Sequence, residues 1–334
     1  MAKFVLQRLA TLLPVMLGIS VIVFFFIHLI PGDPAAVMAG DYATPGQIAE
    51  LRTALGLDES LPTQYLRYAW RLLHGDLGSS IHTRNPIASE LATRLPASME
   101  LALSAMLIAM AIGIPAGIVS ATKRGSLVDA ASMGGALIGV SMPVYVLGLI
   151  AMWMFAFKLG WLPVGGRLAA ELQVQRVTGF LVLDGLLTGN YRACVDAVKH
   201  LLVPAMTLST VPMAIIARIT RSSLLDCLSQ DYIRTARGKG LAEPRIVIRH
   251  ALKNGMLPVV TVIGLQIGVI LSGAVLTETI FSWPGIGRWV YEAITKRDYP
   301  VIQGMTLFIG VVFLFTSLLV DCLYALLDPR IRYD

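Results

Sequence analysis

Long apolar stretches constrain this sequence more than any other feature. A helix that crosses a bilayer needs about 20 apolar residues, each rising about 1.5 Å along the axis. Backbone amides inside a bilayer must be hydrogen-bonded within their own segment, so continuous apolar runs predict helices, whereas a β-barrel shows short alternating segments. We therefore predict an all-α polytopic membrane helix bundle with about six transmembrane helices. The predicted spans cover residues 9–30, 99–121, 130–157, 201–219, 256–277 and 301–326.

The distribution of basic residues predicts the orientation of these spans. Lys3 and Arg8 precede the first span, Lys123 and Arg124 lie in a tight turn, and eight Lys or Arg residues lie between residues 218 and 253. Because short cytoplasmic connections are enriched in Lys and Arg, we place both termini in the cytoplasm. The net charge of +6 thus follows the loops, and no aromatic residues are interleaved with it as a nucleic-acid site would require.

The first apolar run, residues 9–30, decides how the N-terminus is interpreted. It is too long for the apolar part of a signal peptide, so we expect an uncleaved first span. The polar segment 31–98 then lies outside and contains helical stretches, one of which has Thr44 as a cap before Pro45. We divide the chain into an N-terminal helix with its outer segment, residues 1–95, and a membrane domain, residues 96–327.

A search for reactive or metal-binding residues finds no convincing centre. The sequence contains no H-E-x-x-H, G-x-S-x-G or G-x-x-x-x-G-K-[ST] pattern, and its three cysteines and five histidines are dispersed. Ser120 and Lys123 form only an isolated S-x-x-K string. We predict no enzyme activity, no cofactor and no metal site, so any ATP that drives the protein must bind to another subunit.

Ionisable residues near the spans are a second place to look for function. The carboxylates at the predicted span ends are interpreted mainly as helix caps or interfacial groups; these are Glu100, Asp129, Glu278 and Asp321. None of them lies clearly at a span centre. An ion-coupled carrier that acts alone is expected to keep such a residue there, so this class is disfavoured.

One basic loop, residues 220–255, differs from its apolar surroundings. Within "DYIRTARGKGL" (231–241), Asp231 is expected to cap a first helix and Gly240 to end it, and Pro244, three residues beyond the string, is expected to open a second helix. Ala236 and Gly240 are four residues apart, which predicts a small-residue face that another surface approaches closely. The alternative is an ordinary basic cytoplasmic loop, which explains the charge but not this spacing.

These features together resemble a known family of transport proteins. The matching strings are "HLIPGDP" (28–34), "HGDLGSS" (74–80), "LTETIFSWPGIGRWV" (276–290), "RDYPVIQG" (297–304) and "DPRIR" (328–332). The chain resembles the inner-membrane permease subunits of bacterial ATP-binding-cassette importers of the dipeptide, oligopeptide and nickel class, and is most similar to dipeptide permeases. Arg234, Thr235 and Ala236 stand where the superfamily's coupling motif usually has Glu-Ala-Ala, and Gly240 matches its glycine.

The resemblance implies a type I importer fold, a cargo and a set of partners. It implies passage of dipeptides or short oligopeptides from periplasm to cytoplasm, with nickel chelates or glutathione as alternative cargo and a stand-alone secondary transporter as a less favoured alternative. The partners implied are a second homologous permease, two cytoplasmic ATP-binding subunits, a periplasmic substrate-binding protein, the peptide and membrane lipid. No nucleic acid is implied.

Two groups of site residues follow. The first is implied to couple the chain to an ATPase subunit and consists of Arg234, Thr235, Ala236, Arg237, Lys239 and Gly240. The second lies in an outer loop that contacts the binding protein or lines the outer gate, with an aromatic belt at the membrane interface as the alternative. It consists of Phe281, Trp283, Pro284, Gly285 and Trp289.

Overall fold

The computed structural model describes residues 2–29, 33–40, 42–54, 56–271 and 274–327. Within those ranges the regular structure is helical, with one isolated antiparallel bridge between Ser79 and Pro86. The first helices are α1 (Ala2–Leu29), α2 (Pro34–Ala39), α3 (Pro45–Ala54), α4 (Leu61–Leu73), α5 (Ile87–Thr122), α6 (Leu127–Ser141), α7 (Val144–Met152) and α8 (Leu181–Leu187). The remaining ones are α9 (Tyr191–Leu228), α10 (Asp231–Gly238), α11 (Glu243–Arg245), α12 (Leu252–Leu271), α13 (Val275–Ile280), α14 (Ile286–Lys296) and α15 (Tyr299–Leu327). Two π-helical segments, Trp153–Lys158 and Ile246–Ala251, continue α7 and lead into α12.

The prediction of an all-α membrane bundle is confirmed. Four helical stretches are long and apolar enough to cross a membrane, namely Ile87–Thr122, Tyr191–Leu228, Glu243–Leu271 and Tyr299–Leu318. Helix α1 (Ala2–Leu29) runs through most of the first predicted span, residues 9–30. The string at 328–332 lies outside the described residues.

The third predicted span, residues 130–157, is not one straight helix. The stretches Leu127–Ser141 and Val144–Lys158 meet at an angle of 99°. Pro143 lacks a backbone N–H and disfavours helical backbone in the residue before it, and Met142 is indeed extended, with φ −91° and ψ 134°. The predicted span is therefore a broken helix pair, and the break falls at Pro143, where a proline inside a span invites a kink.

The centre of the bundle is the contact between α5 and α9, which glycines make possible. A Cβ atom on Gly113 would lie 2.7 Å from the Met213 carbonyl oxygen, and one on Gly117 would lie 2.6 Å from the Ala217 oxygen and 2.6 Å from Thr220 Cβ. These distances are too short for a real Cβ contact, so the backbones approach as closely as glycine allows, in the manner of small-residue interfaces in membranes.

We expect Gly117→Ala to destabilise the protein by about 1–3 kcal/mol, because the added methyl group meets backbone atoms that cannot rotate away. The measurement is the midpoint of thermal unfolding of the purified protein in detergent. Gly134→Ala in α6 is the matched control, since nothing lies within 4 Å of the position that its methyl group would take. Equal midpoints for the two variants would contradict the close contact.

The N-terminal segment packs beside the bundle through aromatic rings. Phe24 of α1 lies 5.4 Å from Tyr65 and 5.8 Å from Tyr68 of α4, measured between ring centroids. Helix α3 begins at Pro45; the Gln47 amide donates to the Thr44 hydroxyl oxygen at 3.4 Å, as the predicted cap requires, and the Thr44 amide donates to Gln47 Oε1 at 2.9 Å. The predicted boundary between residues 95 and 96 falls inside the continuous helix α5, so the division into two domains stays a prediction.

Candidate functional site

The basic loop folds into a helical elbow, defined here as residues 231–245. Helix α10 ends at Gly238, and Gly240 adopts a left-handed conformation with φ +76°. The Gly240 amide donates to the Arg237 carbonyl at 2.9 Å and the Leu241 amide to the Ala236 carbonyl at 3.3 Å, which together form a Schellman turn. The predicted helix end at Gly240 and the predicted helix start at Pro244 are therefore found.

The start of the elbow differs from the prediction. Gln230 occupies the N-cap position of α10 without a side-chain hydrogen bond, so Asp231 is not the cap. Asp231 instead lies in the first turn, where a carboxylate complements the helix dipole, and its Oδ1 lies 3.4 Å from Arg234 Nη1.

The inner face of the elbow belongs to the chain's own core. Ile233 and Ala236 are buried with residues from the ends of α5 and α9 and from the following helix; these are Ala121, Leu224, Ile246, Val247 and Ala251. The predicted shared face of Ala236 and Gly240 is corrected, because α10 ends between them and Ala236 points inward while Gly240 is exposed.

The outer face of the elbow is polar and exposed. Arg234, Thr235, Arg237 and Lys239 are all exposed. Arg237 binds both carboxylate oxygens of Glu243, at 2.6 and 3.3 Å. This hydrogen-bonded pair raises the pKa of Arg237 and joins the two arms of the elbow across the turn. The structure thus presents a rigid corner with basic side chains on its solvent side.

An ion pair, which the sequence did not reveal, connects α6 to α9 and α5. Asp129 of α6 accepts hydrogen bonds from Arg221 Nε and Nη2 of α9, both at 2.8 Å, and from the Ser120 hydroxyl of α5. Asp129 was predicted to be a cap or interfacial group, but Ser126 caps α6 and Asp129 is buried. Its partner Arg221 lies 92 residues away, so no local pattern pointed to it.

The outer loop is packed into the bundle and is not a surface belt. Phe281 and Trp283 are each 1% exposed and Trp289 is buried, while Pro284 is exposed and Gly285 is buried. Trp283 donates its indole N–H to the Ala97 carbonyl at 2.8 Å. Trp283 packs among residues of α5 and α9, and Trp289 packs among residues of α5 and α15. This burial differs from an exposed aromatic belt, whereas contact of the loop with the binding protein or the outer gate stays a prediction.

A buried carboxylate holds this loop together. Glu278 is fully buried; it accepts a hydrogen bond from the Ser98 hydroxyl at 2.6 Å and one from the Arg288 amide at 2.9 Å. A Cβ on Gly285 would overlap both Glu278 and Ser98, so only glycine fits there. Glu278 is therefore not the interfacial group that the sequence suggested, and its burial raises its pKa.

We expect Glu278 to make the stability of the protein depend on pH. A carboxyl group whose pKa is raised on folding binds its proton more tightly in the folded state. Its stabilising contribution is full below the ordinary Glu pKa of about 4.3 and is lost as the pH rises through the raised value. The unfolding midpoint of Glu278→Gln should fall less over this window than that of the wild type. Glu292→Gln, which alters a half-exposed carboxylate, is the control; parallel curves for all three proteins would disprove the assignment.

A second buried carboxylate pairs with an arginine nearby. Arg167 Nη2 donates to Glu100 at 2.5 Å and to the Gly179 carbonyl at 2.8 Å, and the Val182 amide donates to Glu100 at 2.9 Å. Both charged side chains are less than a tenth exposed. Glu100 thus anchors the first turn of α8 to α5, and its partner Arg167 also holds the segment before α8, a role that the interfacial interpretation missed.

These observations define a class of protein: a membrane-spanning helix bundle that carries a basic helical elbow at one end and a packed loop at the other. Among the described residues, no group of three His, Cys, Asp or Glu side chains is placed to hold a metal ion. The family model for the binding-protein-dependent transport system inner membrane component matches residues 113–333, and the N-terminal membrane component model of such systems matches residues 1–102. The chain belongs to this family of multi-pass transport proteins.

Individual relatives match over the full length. The chain is 46% identical to the dipeptide transport system permease protein DppB of Escherichia coli K12, covering 100% of this chain and 99% of that protein. It is 48% identical to the di/tripeptide transport system permease protein DppB of Pseudomonas aeruginosa UCBPP-PA14, covering all of both chains. The glutathione transport system permease protein GsiC of Salmonella paratyphi A is 39% identical, again over all of both chains.

A solved structure supports the fold. A chain of the inward-facing MetNI methionine ABC transporter superposes with a TM-score of 0.52 at 14% identity, covering 71% of this chain and 96% of that chain. At this identity the likeness concerns the fold alone, and it agrees with the predicted importer-type membrane domain.

Proposed function

We propose that this chain is the permease subunit through which an ATP-driven importer passes dipeptides or short oligopeptides into the cytoplasm. The observation that carries the proposal is the 46–48% identity, over the whole chain, to permeases named for dipeptides and di/tripeptides. The chain has no nucleotide-binding loop of its own, so ATP hydrolysis is assigned to two separate cytoplasmic subunits. A second homologous permease and a periplasmic substrate-binding protein complete the assembly in a bacterial inner membrane, with both termini of this chain cytoplasmic.

In this proposal the elbow transmits movement from an ATPase subunit. Its exposed residues form the docking surface: Arg234, Thr235, Arg237, Lys239 and Gly240. Ala236 contributes from inside, because it fixes α10 to the ends of α5 and α9. The Asp129–Arg221 pair then passes a movement of α9 to α6. ATP binding and binding-protein docking must both favour the outward-facing state for transport to proceed.

The outer loop is proposed to frame the outer gate. Trp283 and Trp289 hold the loop against α5 from within, and Phe281 is also buried, whereas Pro284 at its turn is exposed. The loop therefore acts as a rigid element of the gate through its backbone and turn, and its rings set its position.

Cargo other than peptides is the second candidate. Glutathione is favoured over nickel chelates as the alternative because a glutathione permease is related at 39% identity over the whole chain. A carrier that acts alone is disfavoured because the family is defined by dependence on a binding protein.

Reconstitution tests the proposal. The complete importer is purified through a tag on this chain, placed in vesicles with the binding protein outside, and supplied with ATP inside. We expect uptake of a labelled dipeptide that requires ATP, and weaker or no uptake of glutathione. Uptake that persists without ATPase subunits and follows an ion gradient would identify a lone carrier, and exclusive uptake of glutathione would replace the cargo.

A further inference from the structure

A cavity of about 610 Å³ opens beside the outer loop. Its size falls within the range of about 300–1,000 Å³ that is usual for small-molecule sites. Three arginines line it and no acidic residue does; they are Arg94, Arg167 and Arg176. The exposed Pro284 of the outer loop also lines the cavity, so the loop forms part of its wall.

Two of these arginines are held by the tryptophans of the outer loop. The guanidinium carbon of Arg94 lies 5.3 Å from the ring centroid of Trp289, and that of Arg167 lies 5.6 Å from Trp283. Both rings are buried and therefore fixed in position. Cation–π contact with a fixed ring orients each guanidinium, so the aromatic residues of this loop support a wall of guanidinium N–H donors; Glu90 and Glu100 pair with the charges of these two arginines.

The arginines keep hydrogen-bond donors beyond those that their structural contacts use. A guanidinium carries five N–H groups. Arg94 uses Nε for Glu90, and Arg167 uses Nη2 for Glu100 and Gly179. The buried Nε of Arg167 has no partner within the described part of the chain. Arg176 lies exposed at the rim.

The rest of the lining indicates the kind of anion. Leu172, Val174 and Leu181 give the cavity apolar walls. A planar guanidinium matches a carboxylate with paired hydrogen bonds, and an apolar wall suits an organic side chain better than a hydrated inorganic ion. A small organic carboxylate with an apolar side chain would pair with the guanidinium groups and pack against the apolar walls.

We propose that this cavity binds the C-terminal carboxylate and last side chain of a short peptide as it enters the permease. The proposal rests on the peptide cargo proposed above and adds a recognition site on this chain. Arg94 and Arg167 form the fixed part of the site, and Arg176 closes over the carboxylate from the rim.

Protection from thiol labelling tests the site directly. Gln173→Cys places a reporter in the lining, and Thr93→Cys provides a second one should the first variant fail to assemble. The intact importer is treated with a membrane-impermeant thiol reagent, and labelling of the reporter is followed by peptide mass spectrometry. We expect alanyl-leucine to protect the reporter and its C-terminal amide to require at least about tenfold more peptide, as the loss of one charge-assisted contact predicts. Adding Arg176→Gln should abolish the difference, whereas Arg71→Gln, an exposed charge on α4, should not.

The outcomes separate this proposal from others. Equal protection by acid and amide, or no protection, overturns the carboxylate site. Protection by the binding protein without peptide assigns the arginines to a protein carboxylate and also overturns it. Peptide uptake by the wild-type importer is measured in parallel: its absence refutes the peptide cargo, whereas uptake without carboxylate-dependent protection refutes only the site.

Discussion

Replacing Gly240 with valine should reduce ATP-dependent uptake severely while leaving the amount of protein in the membrane unchanged. Gly240 has φ +76°, a conformation that costs an ordinary L-residue about 1–2 kcal/mol and a β-branched one more. Nothing lies within 4 Å of the added Cβ, so the effect comes from the backbone and not from a clash. The Schellman turn should open and change the angle of the elbow. Since 1.4 kcal/mol corresponds to about a tenfold change in a population, we expect uptake to fall by about tenfold or more.

The matched control is Gly238→Val. Gly238 is also exposed and also has no atom within 4 Å of the place where a Cβ would lie, but its φ is not positive. Uptake and ATP hydrolysis are measured in the same vesicles for both variants. The coupling role predicts that Gly240→Val continues to hydrolyse ATP without transport, while Gly238→Val remains coupled. Normal transport by Gly240→Val would remove the elbow from the mechanism.

Removing one member of the Glu100–Arg167 pair should destabilise the protein by about 3–5 kcal/mol, because the remaining charge is left buried and unpaired. We expect this for Glu100→Gln and for Arg167→Met. The double variant should lose less than the sum of the two, since the glutamine introduced by Glu100→Gln still accepts from the Val182 amide and neither charge of the pair remains. Titration with sodium dodecyl sulfate, followed by tryptophan fluorescence, measures the free energy of unfolding.

These single and double variants form a double-mutant cycle, and its control is the same cycle at the Arg288–Glu292 pair, whose side chains are 35% and 37% exposed. Exposed pairs at this helical spacing contribute about 0.3–0.5 kcal/mol, so its variants should be close to wild type. If the two cycles gave equal coupling energies, Glu100 and Arg167 would not form a buried pair.

The elements that the sequence predicted well are those specified by neighbouring residues. The positions of α5, α9 and α15 follow from apolar composition, and Thr44, Gly240 and Pro244 each mark a helix end through their own backbone preferences. The sequence predicted one span at 130–157 in which Pro143 invites a kink, but only the packing of both halves decides the angle of 99°.

The residues of the candidate site also fall into those that the sequence predicted and those that only the structure revealed. The basic residues and the glycine of the elbow are visible in a window of ten residues, and the full-length resemblance indicated the family that the comparisons establish. The interior roles of Ala236, Trp283 and Glu278 were not visible there, since each depends on a neighbour from a distant part of the chain. Ser98, for example, lies 180 residues from Glu278 in sequence.

The sequence by itself determined that this chain crosses a membrane in helices, that it carries a basic corner between two of them, and that it belongs with transport permeases. These properties follow from local amino-acid composition and from short sequence motifs along the chain. Only the tertiary structure decided which polar groups are buried and with which partners, because burial depends on the approach of helices that are remote in sequence. It showed that three carboxylates expected at span ends are internal anchors, namely Glu100, Asp129 and Glu278, and that two tryptophans of the outer loop support an arginine-lined cavity.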